Sequence, residues 1–267
     1  MKHRVFECIE LHGCRWSVIC KNKIAVITGA SSGIGAGIAD LFSSEGADIV
    51  VNYLTSKQNA EIVVEKNKSQ GRRVIAVQAD MSDKNAINHL IQNTIEEFGR
   101  IDIWVNNAGA DILTGKGENA TTYEKLEQLI QTDLKGTINA CWSVSETMKD
   151  QGHGVIVNMG WDLSIHGFSG INPQIFAATK SAVLGFTRAF AKTVGPEIRV
   201  NMVAPGWIIT AFAEENMEKP FYQDRLKEIP LGRFGIPRDI AEAVVFLASD
   251  ESSYLAGESI NINGGLI

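Results

Sequence analysis

Several features are scarce in this chain of 267 residues, and each scarcity excludes something. The four cysteines are too few for a disulfide framework at this length, so we expect a reducing, cytoplasmic location. No apolar run approaches the roughly 20 residues of a membrane-spanning helix. The net charge of −6 includes no basic block, which argues against nucleic acid and anionic membrane surfaces as partners. Tyrosine is also rare, and it stands only at Tyr53, Tyr123, Tyr222 and Tyr254.

The first twenty residues contain three of the cysteines, Cys8, Cys14 and Cys20, together with His3 and His12. These side chains suggest a metal site, but their spacing matches no compact zinc pattern, and we predict no metal site in the chain. Charged residues also interrupt any signal-peptide core. We therefore predict that residues 1–20 are an irregular extension and that residues 21–267 form one domain.

The rest of the chain alternates β-branched apolar runs with longer amphipathic ones. This alternation predicts an α/β fold of the Rossmann type: a doubly wound, seven-stranded parallel sheet with helices on both faces. The predicted strands are 23–28, 48–53, 73–79, 101–106, 155–159, 198–203 and 259–262. The predicted helices are 33–45, 58–70, 85–98, 123–149, 174–193 and 239–248. No linker or repeat marks a second domain.

A glycine-rich segment, TGASSGIG at residues 28–35, joins the first strand to the first helix. Backbone N–H groups in such a turn can approach a pyrophosphate, and the helix N-terminus adds positive potential. An ordinary strand-to-helix turn is the alternative, but it needs one glycine, whereas this turn has three. The segment therefore predicts a dinucleotide site.

Together with four further motifs, this segment resembles the classical short-chain dehydrogenase/reductase family, especially its 3-oxoacyl-thioester reductase and glucose dehydrogenase branches. The four are NNAG at 106–109, PGWIIT at 205–210, LGRFGIPRDIA at 231–241 and NINGG at 261–265. The resemblance implies hydride transfer between a nicotinamide cofactor and a carbonyl or alcohol. It also implies a homotetramer, with a dimer or a hetero-oligomer as alternatives, in which helices 123–149 and 174–193 contact partner copies. The apolar positions of these helices could equally serve the intrachain core.

The resemblance also implies cofactor contacts. The pyrophosphate and adjoining ribose would lie against Gly29, Ser31, Ser32, Gly33, Ile34 and Gly35. The adenosine would lie against Asp80, Met81, Asn107, Ala108 and Gly109. The nicotinamide half would lie against Lys180, Pro205, Gly206, Ile208 and Thr210. Two of these residues have structural alternatives, since Asp80 could cap a helix and Asn107 could tie neighbouring strands together.

The choice between NADP and NAD depends on the end of the second strand, where a carboxylate would bind a ribose 2′-hydroxyl and repel a 2′-phosphate. Here the strand ends in Asn52 and Tyr53 with no carboxylate. Donors to a phosphate would be Ser31, Asn52, Ser56 and Lys57. The sequence favours NADP(H), with NAD(H) as the alternative.

The catalytic positions depart from the family pattern. The family's Tyr-x-x-x-Lys motif here has Phe176 before Lys180, and a phenyl ring cannot transfer a proton. Trp161 stands at the position of the family serine, and the loop from it to Phe176 is about two residues longer than usual. The asparagine of the long helix is replaced by Asp133.

Other groups must then supply the proton if the protein is catalytic. Asp162 is one candidate, because burial beside Trp161 would raise its pKa; a local loop contact is the alternative. Lys180 is another, acting directly or through water. Ser164, His166 and Ser169 are weaker candidates, since each can simply be a solvated loop residue.

Three functions are compatible with this pattern. The first is an NADP(H)-dependent oxidoreductase with a non-standard proton donor. Its small-molecule carbonyl or alcohol substrate would lie under a lid at 210–231, lined by Phe212, Met217, Phe221 and Tyr222. The second is a cofactor-binding pseudoenzyme that acts as a sensor or as a non-catalytic subunit; non-redox chemistry on the same scaffold is a third alternative.

Overall fold

The computed structural model describes residues 19–210 and 218–266. Seven strands form one parallel sheet in the order β3-β2-β1-β4-β5-β6-β7. They are β1 (Ile24–Ile27), β2 (Asp48–Tyr53), β3 (Val74–Gln78), β4 (Ile103–Asn106), β5 (Gly154–Met159), β6 (Ile198–Pro205) and β7 (Ser259–Ile262). Every predicted strand is present, and the predicted fold class is confirmed.

The strand order reverses beside β1, which pairs with β2 on one side and β4 on the other; Ala25 is in register with both Ile49 and Ile103. A reversal of this kind leaves a crevice at the carboxyl ends of the strands, where ligands of open α/β sheets bind. Because the sheet is parallel, all the loops that follow its strands meet at this one edge.

Helices cover both faces of the sheet. They are α1 (Gly33–Ser44), α2 (Lys57–Lys68), α3 (Lys84–Phe98), α4 (Gly115–Glu118), α5 (Thr122–Leu129), α6 (Thr137–Gln151), α7 (Ile171–Val194), α8 (Pro220–Glu228) and α9 (Pro237–Ala248). One core cluster joins α1, α2 and α9 to the sheet, and a second joins α3, α6 and α7 to the opposite face. Burial on both faces explains why the strands are near-continuous apolar runs.

The predicted helix 123–149 is not continuous. A π-helical turn, Ile130–Gly136, separates α5 from α6. A Cβ atom on Gly136 would lie 2.4 Å from the carbonyl oxygen of Met81, so the turn runs close to the loop after β3. Periodicity does not reveal such a turn, because a single π turn leaves the apolar pattern on either side intact.

Other elements differ from the predictions in smaller ways. Helix α7 begins at Ile171, three residues before the predicted start, and α4 and α8 were not predicted as helices. Within the described residues, no helix is long and apolar enough to span a membrane. The predicted extension lies almost entirely outside the described residues, as do Cys8 and Cys14.

Candidate active site

The glycine-rich turn after β1 has the backbone shape that its sequence predicts. Gly29 and Gly33 have φ values of +62° and +56°, a region that favours glycine. A Cβ atom on Gly29 would lie 2.9 Å from the Cα atom of Ala108, and one on Gly35 would lie 2.5 Å from the side-chain nitrogen of Asn107. The loop after β4 thus packs directly on this turn, which leaves no room for side chains at either glycine.

Asn52 supports the glycine-rich turn from beneath. Its buried side-chain oxygen accepts a hydrogen bond from the Gly29 N–H at 3.0 Å, and its nitrogen donates to the carbonyl oxygens of Val77 and Ala79 at 3.3 and 3.0 Å. The prediction that Asn52 donates to a phosphate is therefore corrected: the N–H groups of its amide already have backbone acceptors. Tyr53, the last residue of β2, is also buried.

The other predicted phosphate donors lie on the surface around this turn. Ser31 is partly buried and Ser32, the residue before α1, is exposed. Ser56 and Lys57 are exposed at the start of α2, where Lys57 lies 3.7 Å from Glu61. No acidic side chain stands in the first turn of α1, so the N-terminus of this helix keeps its positive potential.

The loop after β4 is tied to the glycine-rich turn. The side chain of Asn107 donates to the carbonyl oxygens of Thr28 and Gly29 at 2.9 and 3.1 Å, while the N–H groups of Asn107 and Ala108 donate to the Thr28 hydroxyl. The structural alternative for Asn107 therefore describes a real contact. Because the Asn107 side chain is engaged in these hydrogen bonds, the backbone of Ala108 and Gly109 forms the surface beside the turn.

Asp80 and Met81 follow β3. One carboxylate oxygen of Asp80 accepts from both the N–H and the hydroxyl of Ser82, at 2.8 and 2.7 Å. This is a local turn, and the N-cap of α3 is Asp83 instead. Met81 is buried against the π-helical turn.

The loop after β6 completes the crevice. The Gly206 N–H donates to the carbonyl oxygen of Ile262 after Pro205, the last residue of β6. Ile208 forms an isolated parallel bridge with Gly235. A Cβ atom on Gly33 would lie 3.5 Å from Thr210, so this loop reaches the beginning of α1, where Ile34 is partly buried. All the segments predicted to hold the cofactor therefore meet at one edge of the sheet.

The side chains predicted to stand at the positions of the family serine and tyrosine are two aromatic rings in contact. The rings of Trp161 and Phe176 meet edge to face, with centroids 5.3 Å apart. The amino group of Lys180 lies 5.4 Å from the centre of the Phe176 ring. The two rings make an apolar contact beside Lys180, and their assignment to the positions of the family serine and tyrosine stays a prediction.

Lys180 forms a buried ion pair with Asp133. The distance between Lys180 Nζ and Asp133 Oδ2 is 3.0 Å, and the two side chains are 6% and 1% exposed. Lys180 also donates to the carbonyl oxygen of Met159 at 3.1 Å, and Asp133 Oδ1 accepts from the Ala110 N–H at 2.8 Å. The sequence indicated both residues but not their direct contact, because the two lie on separate helical elements.

Asp162 is buried at the edge of the same region. Its oxygens accept from the Leu163 N–H at 2.9 Å and from the Asn263 side chain at 3.2 Å. Burial raises the pKa of Asp162, and the hydrogen bonds from Asn263 and Leu163 oppose this without reversing it. A Cβ atom on Gly206 would lie 3.1 Å from Asp162 Oδ2, so the carboxyl group borders the loop after β6. The local contact with Leu163, the predicted alternative, is present as well.

The remaining candidates lie further out. Ser164 is partly buried, and its carbonyl oxygen accepts from the Ser181 hydroxyl at 2.8 Å. His166 and Ser169 are exposed, as expected of solvated loop residues. Among the described residues, no group of three histidine, cysteine or acidic side chains could hold a metal ion.

Comparison with known proteins agrees with this geometry. The family model described as enoyl-(acyl carrier protein) reductase matches residues 29–267. The 3-oxoacyl-[acyl-carrier-protein] reductase of Thermotoga maritima is 38% identical over 250 residues, which cover 92% of this chain and 98% of that protein. The chain belongs to the short-chain dehydrogenase/reductase family.

Solved structures extend the match. A short-chain dehydrogenase from Burkholderia cenocepacia, in complex with NADP, superposes with a TM-score of 0.83 at 30% identity and covers 93% of this chain and 99% of its own. A dehydrogenase/reductase from Sinorhizobium meliloti gives a TM-score of 0.84 at 31% identity, with coverage of 94% and 97%. As a short-chain dehydrogenase/reductase, the chain is an oxidoreductase by family.

One feature of this short-chain dehydrogenase/reductase was missed in the sequence: an aromatic cluster beside the crevice. The ring of Trp207 contacts Phe168, Phe221 and Tyr222 at centroid distances of 6.3, 5.7 and 6.1 Å. It joins the loop before α7 to the lid helix α8. Phe221 and Tyr222 were predicted to line the lid, whereas Phe212 and Met217 lie outside the described residues. Trp207 stands within the PGWIIT motif, which was the available signal.

A buried polar ladder beneath the site was also missed. The Trp104 indole N–H donates to Asn106, whose side chain donates to Asn158 at 2.8 Å, and Asn158 in turn donates to Thr187 at 2.9 Å. The ladder links the ends of β4 and β5 to α7, which carries Phe176 and Lys180. It therefore fixes the helix of the candidate catalytic residues relative to the sheet.

Proposed function

We propose that this protein is an NADP(H)-dependent oxidoreductase that transfers hydride between nicotinamide and a carbonyl or alcohol substrate, with Asp162 as the proton donor. The buried position of Asp162 carries the proposal, because its carboxyl group borders Gly206 in the loop after β6, a residue predicted to contact the nicotinamide half of the cofactor. A carboxyl group with a raised pKa holds its proton at higher pH than an exposed one, which a general acid requires.

The residues around the crevice fit a dinucleotide. The backbone of the turn from Gly29 to Gly35, at an uncapped helix N-terminus, suits a pyrophosphate. The absence of a carboxylate after Tyr53, with Ser31, Ser56 and Lys57 near the surface, supports a 2′-phosphate and therefore NADP(H). The NADP complex of the Burkholderia cenocepacia relative supports the same choice.

When bound, the cofactor supplies or accepts the hydride. The chain's own residues would then position the substrate and manage the proton. Lys180 is held by Asp133 and the Met159 carbonyl, a placement that suits a contact with the nicotinamide ribose. Trp161 and Phe176 would place apolar rings where the family has its serine and tyrosine hydroxyl groups. Asp162 would hold the proton that a substrate oxygen takes up.

A specific observation favours the second candidate function, a cofactor-binding pseudoenzyme. Trp161 and Phe176, which the sequence assigns to the two hydroxyl positions of the family, meet edge to face, and this contact supports a site without those hydroxyl groups. In that case the protein would bind NADP(H) and turn over nothing, as a sensor or as a non-catalytic partner subunit.

One experiment separates the two functions. Purified protein is mixed with NADPH and with a panel of ketones, quinones and 3-oxoacyl thioesters, the last because relatives are named as 3-oxoacyl reductases. We expect NADPH oxidation with at least one of them, and a rate about 10² to 10⁴ times lower in Asp162→Asn, the range for loss of a positioned general acid. The exposed N-cap variant Asp83→Asn is the control, since asparagine caps a helix equally well. Tight NADPH binding without turnover of any substrate would establish the pseudoenzyme instead.

The pH profile tests the role of Asp162 separately. Reduction needs the protonated carboxyl group, so the rate should fall as the pH rises through the raised pKa of Asp162. Asp162→Asn should lose this descending limb while NADPH affinity is unchanged. An identical profile in both proteins would exclude Asp162 as the donor.

We also propose a homotetramer, as the family resemblance implies. An open cleft of about 380 Å³ lies between α6 and α7, lined by Trp142, Glu146, Lys149, Phe186 and Phe190 among others. Trp142 is 55% exposed, and an exposed indole over an apolar cleft supports contact with a second copy. Trp142→Glu should lower the mass measured by sedimentation equilibrium from four chains to two or one. A mass of four chains in the variant would mean that this face is not the interface.

The cysteines support the proposed cytoplasmic location. Cys20 and Cys141 are buried, and within the described part of the chain neither is paired with another sulfur. Free thiols of this kind suit a reducing compartment.

A further inference from the structure

The charge balance around Lys180 differs from that of the family site. In the family pattern, a lysine one helical turn after the tyrosine lowers the pKa of the phenol. Here the carboxylate of Asp133 lies 3.0 Å from the Lys180 amino group, and both are almost fully buried. Two opposite charges at this distance compensate each other, and burial keeps water from screening either one.

The ring of Phe176 also lies near this amino group, at 5.4 Å from Nζ to the ring centre. A phenyl ring cannot carry a negative charge, so it cannot serve as the counter-ion of a buried ammonium group. Asp133 can, and its second oxygen is anchored by the Ala110 N–H. The π-helical turn Ile130–Gly136 holds the carboxylate at this point between the loop after β4 and α7.

We infer that Asp133 is a positioning residue that supplies the counter-charge of Lys180, and that Lys180 therefore cannot activate a phenol at position 176 while Asp133 is present. The inference deepens the proposed function and rests on its assignment of Lys180 and Phe176. It predicts that the replacements of asparagine by Asp133 and of tyrosine by Phe176 are coupled. Restoring the tyrosine alone should not restore the family's proton donor.

Other charged groups on the elements that pack against α7 do not distinguish the variants used to test this inference. They are Glu124, Lys125 and Glu127 on α5, Lys135 on the π-helical turn, Glu146, Lys149 and Asp150 on α6, Arg199 on β6, and Asp162 and His166 after β5, of which Asp162 alone is fully buried. All of them are unchanged in each variant. A difference between backgrounds with and without Asp133 therefore reports on Asp133.

The test measures the ionisation of the introduced phenol in the cofactor-free protein, by the ultraviolet difference absorbance of tyrosinate against the parent protein. In Phe176→Tyr alone, the phenol should titrate near the ordinary tyrosine pKa of about 10. In Phe176→Tyr with Asp133→Asn, it should titrate at least about one unit lower, because an uncompensated positive charge within about 6 Å favours the anion. Asparagine is nearly the same size and can still accept from Ala110.

The outcomes are distinct. A phenol that titrates well below its ordinary pKa in Phe176→Tyr alone would overturn the inference. Because this variant keeps the ion pair intact, it tests the inference even if the double variant fails to fold. Equal titrations in the two backgrounds would also overturn it. Where NADPH oxidation is measurable, the double variant should exceed Phe176→Tyr by about tenfold or more, as a better-matched acid allows. The titration does not depend on turnover, so failure of the proposed function leaves it interpretable.

Discussion

The cofactor crevice and the proton-transfer centre share one edge of the sheet but differ in how closely they follow their family. In the crevice, several side chains of the motifs bond to the backbone of neighbouring segments: Thr28 and Asn107 join β1 to β4, and Asn52 joins β2 to the turn. In the centre, an aromatic pair lies beside a buried ion pair, and three of these four residues are predicted to depart from the family pattern.

The two regions therefore differ in how strongly the fold constrains their side chains. The crevice contacts are part of the fold itself, because the same hydrogen bonds that shape the binding turn also hold neighbouring strands together. The groups at Trp161, Phe176 and Asp133 form no such ladder between strands. Chemistry can therefore change at the centre while the crevice keeps its shape.

The largest expected effect is on the free energy of unfolding when the ion pair of the centre is broken, and it tests the contrast between the two regions. Lys180→Met removes one partner of the buried pair and leaves the Asp133 carboxylate uncompensated, which should lower the free energy of unfolding by about 3 to 5 kcal/mol. Urea denaturation measures the change. Adding Asp133→Asn should recover part of the loss, since no unpaired charge then remains.

The matched control is Lys57→Met, because Lys57 belongs to an exposed pair with Glu61 at 3.7 Å. Exposed pairs contribute little, so this variant should unfold like the parent protein. If Lys180→Met were no more destabilising than Lys57→Met, the centre would not depend on its ion pair, and the contrast between the two regions would weaken.

The next effect tests the crevice. Gly29→Ala places a Cβ atom 2.9 Å from the Cα atom of Ala108 and forces alanine to a φ of +62°. We expect NADPH affinity, measured by isothermal titration calorimetry, to fall by about a hundredfold, corresponding to about 2.7 kcal/mol.

Gly71→Ala serves as the control for backbone strain. Gly71 also has a positive φ, +81°, but a Cβ atom there would meet nothing within 4 Å. Gly71→Ala should therefore lower the free energy of unfolding by about 1 kcal/mol, as expected for an alanine at positive φ, without changing NADPH affinity. Equal affinities in the two variants would show that the packing of Ala108 on Gly29 does not shape the cofactor site.

Much of the fold and of the crevice could be predicted, because both depend on local patterns. Apolar runs and glycine spacing indicate strands and the turn between β1 and α1, and the family motifs place the loops that follow. The role of Asn52 could not be predicted, since its side chain bonds to β3 and to the turn only after the sheet has formed. The Lys180–Asp133 pair and the Asp162–Asn263 contact likewise join residues far apart in the chain, which no local pattern records.

The smallest expected effect concerns the amino ends of the strands, opposite the crevice and the centre. A change there should alter neither region. Asp102, just before β4, accepts from His153 at 2.8 Å, from Arg100 at 2.9 Å and from the Ile24 N–H at 2.7 Å. Burial alone would raise the pKa of Asp102, but these hydrogen bonds outweigh it and hold the pKa below its ordinary value. Asp102→Asn should therefore lower the free energy of unfolding by about 2 kcal/mol near neutral pH, the range for hydrogen bonds to a charged group.

The lowered pKa of Asp102 also determines how this difference in the free energy of unfolding changes with pH. A carboxyl group with a lower pKa in the folded than in the unfolded protein stabilises the fold above the unfolded value, and that contribution disappears as the pH falls through the folded value. The gap between Asp102→Asn and the parent should thus close below about pH 4, where the unfolded carboxyl group also takes up its proton. NADPH affinity should stay at the parent value throughout, since Asp102 lies at the amino ends of the strands. A change in affinity would mean that the crevice is coupled to the far edge of the sheet, and the two regions could then no longer be treated as locally determined.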